Sequence, residues 1–226
     1  MVPGFDDVPE VVGWMSSMVD RGDRASQDDH RLFLARRTAL EMLRDRGYSV
    51  PESELARTLP EFRAWWAKNP EFERLAFSTA RASDHSDKVQ ILFCPHEPVR
   101  IGTIQEIYDQ IEGENLSRLI LILKGKIMPR AGESMQEKFT FKVDIFQVKE
   151  LLVNITKHVL KPKHEVLSAK EKANLLKEHG VEDSQLPRML ETDAVARYYG
   201  LGKGTVIKVA YDSELTGNHV TYRCIF

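Results

Sequence analysis

The run Leu119-Ile120-Leu121-Ile122-Leu123, inside "SRLILILKG" at Ser117–Gly125, constrains this chain most. Five consecutive apolar residues cannot alternate between core and water, so a strand built from them is covered on both faces. That demands one layer above the sheet and one below it. The surrounding sequence supplies both. "KVQILFC" at Lys88–Cys94 reads as a neighbouring strand, and "IGTIQEIYDQI" places Ile104, Ile107, Tyr108 and Ile111 at helical spacing. "MQEKFTFKVDIFQV" alternates and predicts a further strand. Upstream, "HRLFLARRTALEMLRDRG" puts Leu32, Ala35, Ala39, Leu40 and Leu43 on one helical face, with a cap at Asp28 or Asp29 and Gly47 past its end. "PESELARTLPEFRAWWAKNP" has Pro at each end and predicts one or two short helices. Its Trp65–Trp66 pair reads as core and surface cover.

The pattern changes after residue 150. "KELLVNITKHVLKPKHEVL" is an amphipathic segment that runs into a Pro-containing extended stretch, so a domain boundary is expected near residue 153. Ser168 and Glu171 form a capping box for the helix "AKEKANLLKEHG", which stops at Gly180. "LPRML" reads as a short strand. Asp193 caps "AVARYY", with Gly200 as the residue past its end. "TVIKVAY" and "HVTYRCIF" read as two strands joined by a turn containing Gly217-Asn218. The expected fold is therefore α/β (α+β). It has an acidic, flexible extension over residues 1–28, an α/β domain with a small central sheet over 29–153, and a small mixed α/β domain over 154–226.

Charge and chemistry narrow the function classes. The net charge is −2 at pH 7, so no global field drives the chain onto nucleic acid. Locally the balance is uneven. Residues 1–30 hold two Lys/Arg against seven Asp/Glu, net −5, whereas residues 115–177 hold thirteen against six, net +7. The positive stretch can lie near something anionic. Cys94 and Cys224 have no zinc spacing and read as reduced, buried thiols of an intracellular protein. The N-terminus lacks the basic and apolar regions of a secretory signal, and no run of 18 apolar residues predicts a membrane span.

No catalytic constellation emerges. Cys94 and His96 flank a turn-forming Pro95, and His158 and His164 lack carboxylates at ligand spacing. "GLGKGT" at Gly200–Thr205 lacks the spacing and the preceding strand of a phosphate loop. A metal-dependent nuclease on such a fold needs paired carboxylates at the strand ends. Here Lys124 ends its strand without an acid, and Asp87 and Glu114 are isolated. No cofactor, metal or catalytic residue is expected. A compact unit rich in order and poor in chemistry reads instead as an assembly surface, for which "ARYYG" and "TYR" supply suitable side chains.

The sequence also resembles a known family. "HVLKPKHEVLS", Leu175–Leu176, "SQLPR", "DAVARYYGL", "GTVIK" and "TYR" form a long ordered set similar to the C-terminal module of the fifth subunit shared by eukaryotic nuclear RNA polymerases. The archaeal polymerase contains a counterpart of this module. "ALEMLRDRGYSV" and "FKVDIFQVKELLVNIT" extend the likeness loosely to about Asp29. The resemblance implies a non-catalytic nuclear subunit, one copy per complex and not a homo-oligomer. Its N-terminal jaw would lie beside downstream double-stranded DNA, and its C-terminal domain would dock on the largest subunit among the core subunits. It implies that Lys124, Lys126 and Arg130, in the loop "KGKIMPRAG" after the apolar strand, lie near the duplex. It implies His164, Leu186, Pro187, Arg188, Arg197, Tyr198, Tyr199, Tyr222 and Arg223 at the docking face. Ala194 stands where the family has Pro, and "GLGKG" stands where it has a different pattern. With the acidic N-terminus, these departures resemble the plant variant used by RNA polymerase V, the enzyme of RNA-directed DNA methylation and siRNA-linked gene silencing. The alternatives are a subunit of RNA polymerase II and the other nuclear polymerases, or a stand-alone adaptor outside any polymerase.

Overall fold

The computed structural model describes residues 11–226 apart from 159 and 214–216, with side chains described from residue 26 onward except at 212 and 213. Residues 1–10 of the acidic stretch, and the residues linking the last two strands, lie outside the described residues.

The first helix, α1 (Val11–Asp45), is longer than its pattern predicts. No proline interrupts the chain between these residues, so nothing forces a start at Asp28 or Asp29. Asp28 instead pairs with Lys124, and Ser26 accepts from Arg63. Residues 11–28, expected in a flexible extension, thus belong to a helix. The expected apolar face is buried at Leu32, Ala35, Ala39, Leu40 and Leu43. Two short helices follow, α2 (Glu52–Leu55) and α3 (Leu59–Trp66). Trp66 is buried, while the half-buried Trp65 takes the Arg74 guanidinium 4.4 Å from its ring centre.

The first sheet has the order β1 (Phe77–Ala80), β2 (Lys88–Cys94), β3 (Arg118–Leu123), β4 (Lys142–Gln147). β1 is antiparallel to β2, and β2, β3 and β4 are parallel. The apolar run is β3, with Leu119 to Leu123 all buried. Ile120 and Ile122 meet α1 and α3 on one face. Leu119, Leu121 and Leu123 meet α4 (Ile101–Ile111) and α5 (Pro129–Lys138) on the other. The segment expected to be one alternating strand divides, because Met135–Lys138 ends α5 and only Lys142–Gln147 is strand. Ala131 and Met135, four apart, are the buried face of α5. The amphipathic stretch near residue 150 forms two 3₁₀ turns, Val148–Leu151 and Ile155–Lys157.

The second sheet has the order β5 (Lys163–Val166), β7 (Val206–Ser213), β8 (Gly217–Ile225), β6 (Arg188–Met189). α6 (Ala169–His179) packs over one face through Leu175, against Val206 and Cys224. α7 (Ala194–Tyr199) packs over the other through Ala196, against Ile207 and Val209. The Ser168–Glu171 box forms in both directions. The Asp193 side chain accepts from the Val195 amide at 2.8 Å, so the predicted cap is present. Gly180 and Gly200 end their helices in the left-handed region.

Candidate functional site

The residues singled out as a docking face do not lie together. They divide into three groups according to the element that holds them.

The first group is the joint between the two sheets. α7 is six residues long, and its C-terminal carbonyls point at the N-terminal unit. Arg46, nine-tenths buried, donates to Tyr198 O, Arg197 O and Asp144 Oδ2, each at 2.8 Å. Arg118 donates to the same Asp144 oxygen at 3.0 Å and to Gly200 O at 3.2 Å. Two guanidinium groups therefore cap the negative end of α7 from another unit, and one carboxylate balances them. Gly200 is required twice here. Its φ is +64°, and a Cβ would stand 2.2 Å from Arg118 Nη1.

Tyr198 is 3% exposed. Its hydroxyl donates to Asp45 Oδ2 at 2.8 Å and accepts from Asn154 Nδ2 at 3.1 Å. Burial, together with the bond to Asp45, raises its pKa. Asn154 also donates to Glu41 Oε2 at 2.7 Å, and Lys157 donates to Glu41 Oε1 at 2.7 Å. Burial raises the Glu41 pKa, but these two bonds and the charges of Lys157 and Arg37 together outweigh it and leave the carboxyl below its ordinary value. Arg197 lies 4.6 Å over the Phe146 ring, donates to both Glu150 oxygens and to Ile145 O, and lowers the Glu150 pKa. Tyr199 packs edge-on against Tyr198 at 5.2 Å. The expectation of an outward docking residue fails at Tyr198, which is buried, whereas Arg197 and Tyr199 stay half-exposed. Tyr198 turns inward because the short helix is capped by its neighbour.

The second and third groups follow from strand alternation. Arg223 stands opposite Ile207, and Tyr222 stands opposite Lys208, so the two point to opposite faces. Arg223 shares a shallow groove of about 600 Å³ with Pro187, Tyr211, His219 and Thr221. His164, opposite Val209 on β5, lies on that same face. Burial, then the charge of Lys161, lowers the His164 pKa, despite a contact at 2.7 Å between Nδ1 and Pro162 O. Tyr222 and Leu186 pack on the α6 side instead. Arg188 stacks over the Phe226 ring at 4.7 Å. His219 and Thr221 were legible in principle, because they sit four and two positions before Arg223 on one strand.

The basic residues sit at the C-terminal edge of the parallel strands. Lys124, Lys126 and Arg130 are all exposed. Lys124 pairs with Asp28 at 3.1 Å, whereas Lys126 and Arg130 make no ion pair among the described residues. α4 and α5 both begin at this edge, and neither has an acidic residue in its first turn. Arg130 belongs to α5 rather than to a loop. Arg100 precedes α4 on the same edge and is a cation that the sequence reading missed.

Among the described residues, no group of three or more His, Cys, Asp or Glu could hold a metal ion, and no helix is long and apolar enough to cross a membrane. Both thiols are free and buried. Two units, one capping the other, with a grooved sheet in one and a cationic strand edge in the other, define the structural class. Comparison with known proteins gives the class a family. The model of RNA polymerase Rpb5, N-terminal domain, matches residues 26–111, and that of the C-terminal domain matches residues 153–225. The chain belongs to the Rpb5 family of RNA polymerase subunits. DNA-directed RNA polymerase V subunit 5A of Arabidopsis thaliana is 44% identical over 205 residues, 90% of this chain and 92% of that one. Subunit 5B of RNA polymerases IV and V from the same plant is 43% identical, covering 89% and 93%. The RPABC1 subunit of RNA polymerases I, II and III from Caenorhabditis elegans is 36% identical, covering 88% and 97%.

Proposed function

We propose that this chain is a non-catalytic subunit of a nuclear RNA polymerase of the RNA polymerase V kind, present once per complex. The observation that carries this reading is the 44% identity to a subunit of that enzyme over nine-tenths of the chain, against 36% to a subunit shared by three other polymerases. Residues 29–153 act as a jaw and residues 154–226 as the assembly unit. The groove around Arg223, Pro187 and His164 docks on the largest subunit, and Arg188, Leu186 and Tyr222 extend the contact from the α6 face of the same sheet. Arg197, Tyr198 and Tyr199 anchor α7, which packs beside the groove on its own sheet face. The edge formed by Lys124, Lys126 and Arg130 lies beside downstream duplex and positions it through phosphates, without reading sequence.

The deciding experiment is affinity purification of the tagged chain from nuclear extract, with mass spectrometry of the stoichiometric partners. Recovery with one largest subunit in equal amount is expected, and Arg223→Glu should abolish it. Recovery with the largest subunits of several polymerases supports the shared-subunit reading. Recovery with no polymerase subunit overturns the proposal in favour of an adaptor. In the assembled enzyme, Lys126→Ala should weaken duplex binding on all sequences alike and reduce the logarithmic salt slope by about 1.

A further inference from the structure

A groove of about 700 Å³ opens on the N-terminal unit, apart from the Arg223 groove and beside the cationic strand edge, where the Lys124 amide donates to the carbonyl of its lining residue Cys94. Its origin lies in the unequal lengths of β1 and β2. β1 has four residues and β2 has seven, and their pairing stops at Phe77 opposite Ile91. Beyond that pair the chain before β1 turns away as the 3₁₀ segment Phe72–Leu75. The last part of β2 is therefore flanked by a strand on one side only. α4 covers this sheet face through Ile104, Ile107 and Ile111, which leaves a channel between the helix and the 3₁₀ turn. Leu92, Ile107 and Leu121 lie in its apolar floor.

The rim is charged with one sign. Glu71, Glu73 and Glu106 line it, and the lining contains no Lys or Arg. All three are exposed, and among the described residues none makes an ion pair. The nearest arginine in sequence, Arg74, is turned away over Trp65 and donates to the Trp65 and Asn69 carbonyls. Carboxylates around an apolar floor repel phosphate, so this surface is unsuited to nucleic acid. They attract a cation flanking an apolar anchor, an arrangement in which the pocket gives affinity and the rim gives orientation.

We infer that this groove is a second docking site, for a partner-protein segment carrying a bulky apolar side chain flanked by Lys or Arg. The inference does not depend on which polymerase takes up the chain. The groove lies on the N-terminal unit, apart from Arg223 and Pro187, so its variants should leave core-subunit recovery intact.

The test uses the full-length protein and fluorescent nonapeptides with a central Phe, flanked on each side by two Lys, two Glu or two Ser. The Lys peptide is expected to bind, more weakly as salt rises, and to perturb the amide signals of Thr103, Ile107 and Gln110. Reversing the rim with Glu73→Lys and Glu106→Lys should weaken it about tenfold or more and transfer preference to the Glu peptide. Because an acidic N-terminus also attracts lysines, the decisive variant is Gln110→Trp, which fills the channel and keeps all three carboxylates. Loss of binding there, with the thermal transition unchanged, supports the groove. Binding that survives Gln110→Trp, or a Ser peptide that binds as well as the Lys peptide, overturns the proposal.

Discussion

Two segments of the C-terminal unit can be set side by side. On α7, Arg197, Tyr198 and Tyr199 are consecutive, and on β8, Tyr222 and Arg223 are consecutive. The side-chain chemistry is the same. On the helix, Tyr198 is buried against Asp45 and Asn154, and the half-exposed Arg197 guanidinium is paired with Glu150 and Phe146 of the same chain. On the strand, adjacent residues point to opposite faces, and Arg223 looks into a groove, with no ion pair among the described residues. Arg and Tyr are favoured at interfaces because they combine a large apolar body with polar ends. That preference does not distinguish an interface within one chain from an interface between chains.

The largest effect expected from breaking this contrast is at the joint. Arg46→Ala removes the donor to two α7 carbonyls and to Asp144, leaving buried acceptors and a carboxylate without their main partner. It should cost about 3–5 kcal/mol in urea denaturation. A cost below about 1 kcal/mol would show that the joint is not held by this cluster. Gly200→Ala comes next. The left-handed backbone alone costs about 1–2 kcal/mol, and the new methyl must also displace Arg118. The double variant with Arg118→Ala should recover part of that loss, because it removes the contact at 2.2 Å and leaves the Arg46 guanidinium at 2.9 Å.

Acid should weaken the joint. Glu41 and Glu150 have lowered pKa values when folded, so the unfolded chain takes up protons first as pH falls. Their contribution is whole above the ordinary carboxylate range near pH 4.3 and is lost as pH drops through the folded values. Denaturation curves from pH 6 down to pH 3 should show this decline, and Glu41→Gln should flatten it. At the strand, Arg223→Ala should change stability by less than about 0.5 kcal/mol, because no ion pair within the described residues depends on its charge. Its effect should appear only in recovery of the largest subunit. A stability loss as large as that of Arg46→Ala would erase the distinction between the two segments.

Much of the fold was legible. The apolar run of β3, the burial period of α1, the Ser168–Glu171 box and the Asp193 cap are local signals, and each is fixed by a few neighbouring residues. The start of α1 was not legible, because a capping residue is also tolerated inside a helix when other contacts hold it, as Lys124 holds Asp28. α5 was read partly as loop and partly as strand. Its short pattern of Ala131 and Met135 is too sparse to define a period by itself. At the candidate site the sequence named suitable residues but not their groupings, and it passed over Arg100, Tyr211, His219 and Thr221.

By itself the sequence determined most of the elements, the two-sided cover of β3, the caps of α6 and α7 and the family, because these depend on spacing along the chain. The tertiary structure decided which Arg and Tyr side chains are satisfied inside the molecule and which stay without an ion pair among the described residues. That choice depends on contacts such as Arg46 with Tyr198, 152 positions apart, and on which way each strand turns its side chains. A local period groups the residues that share a face, and packing between elements decides which face is covered.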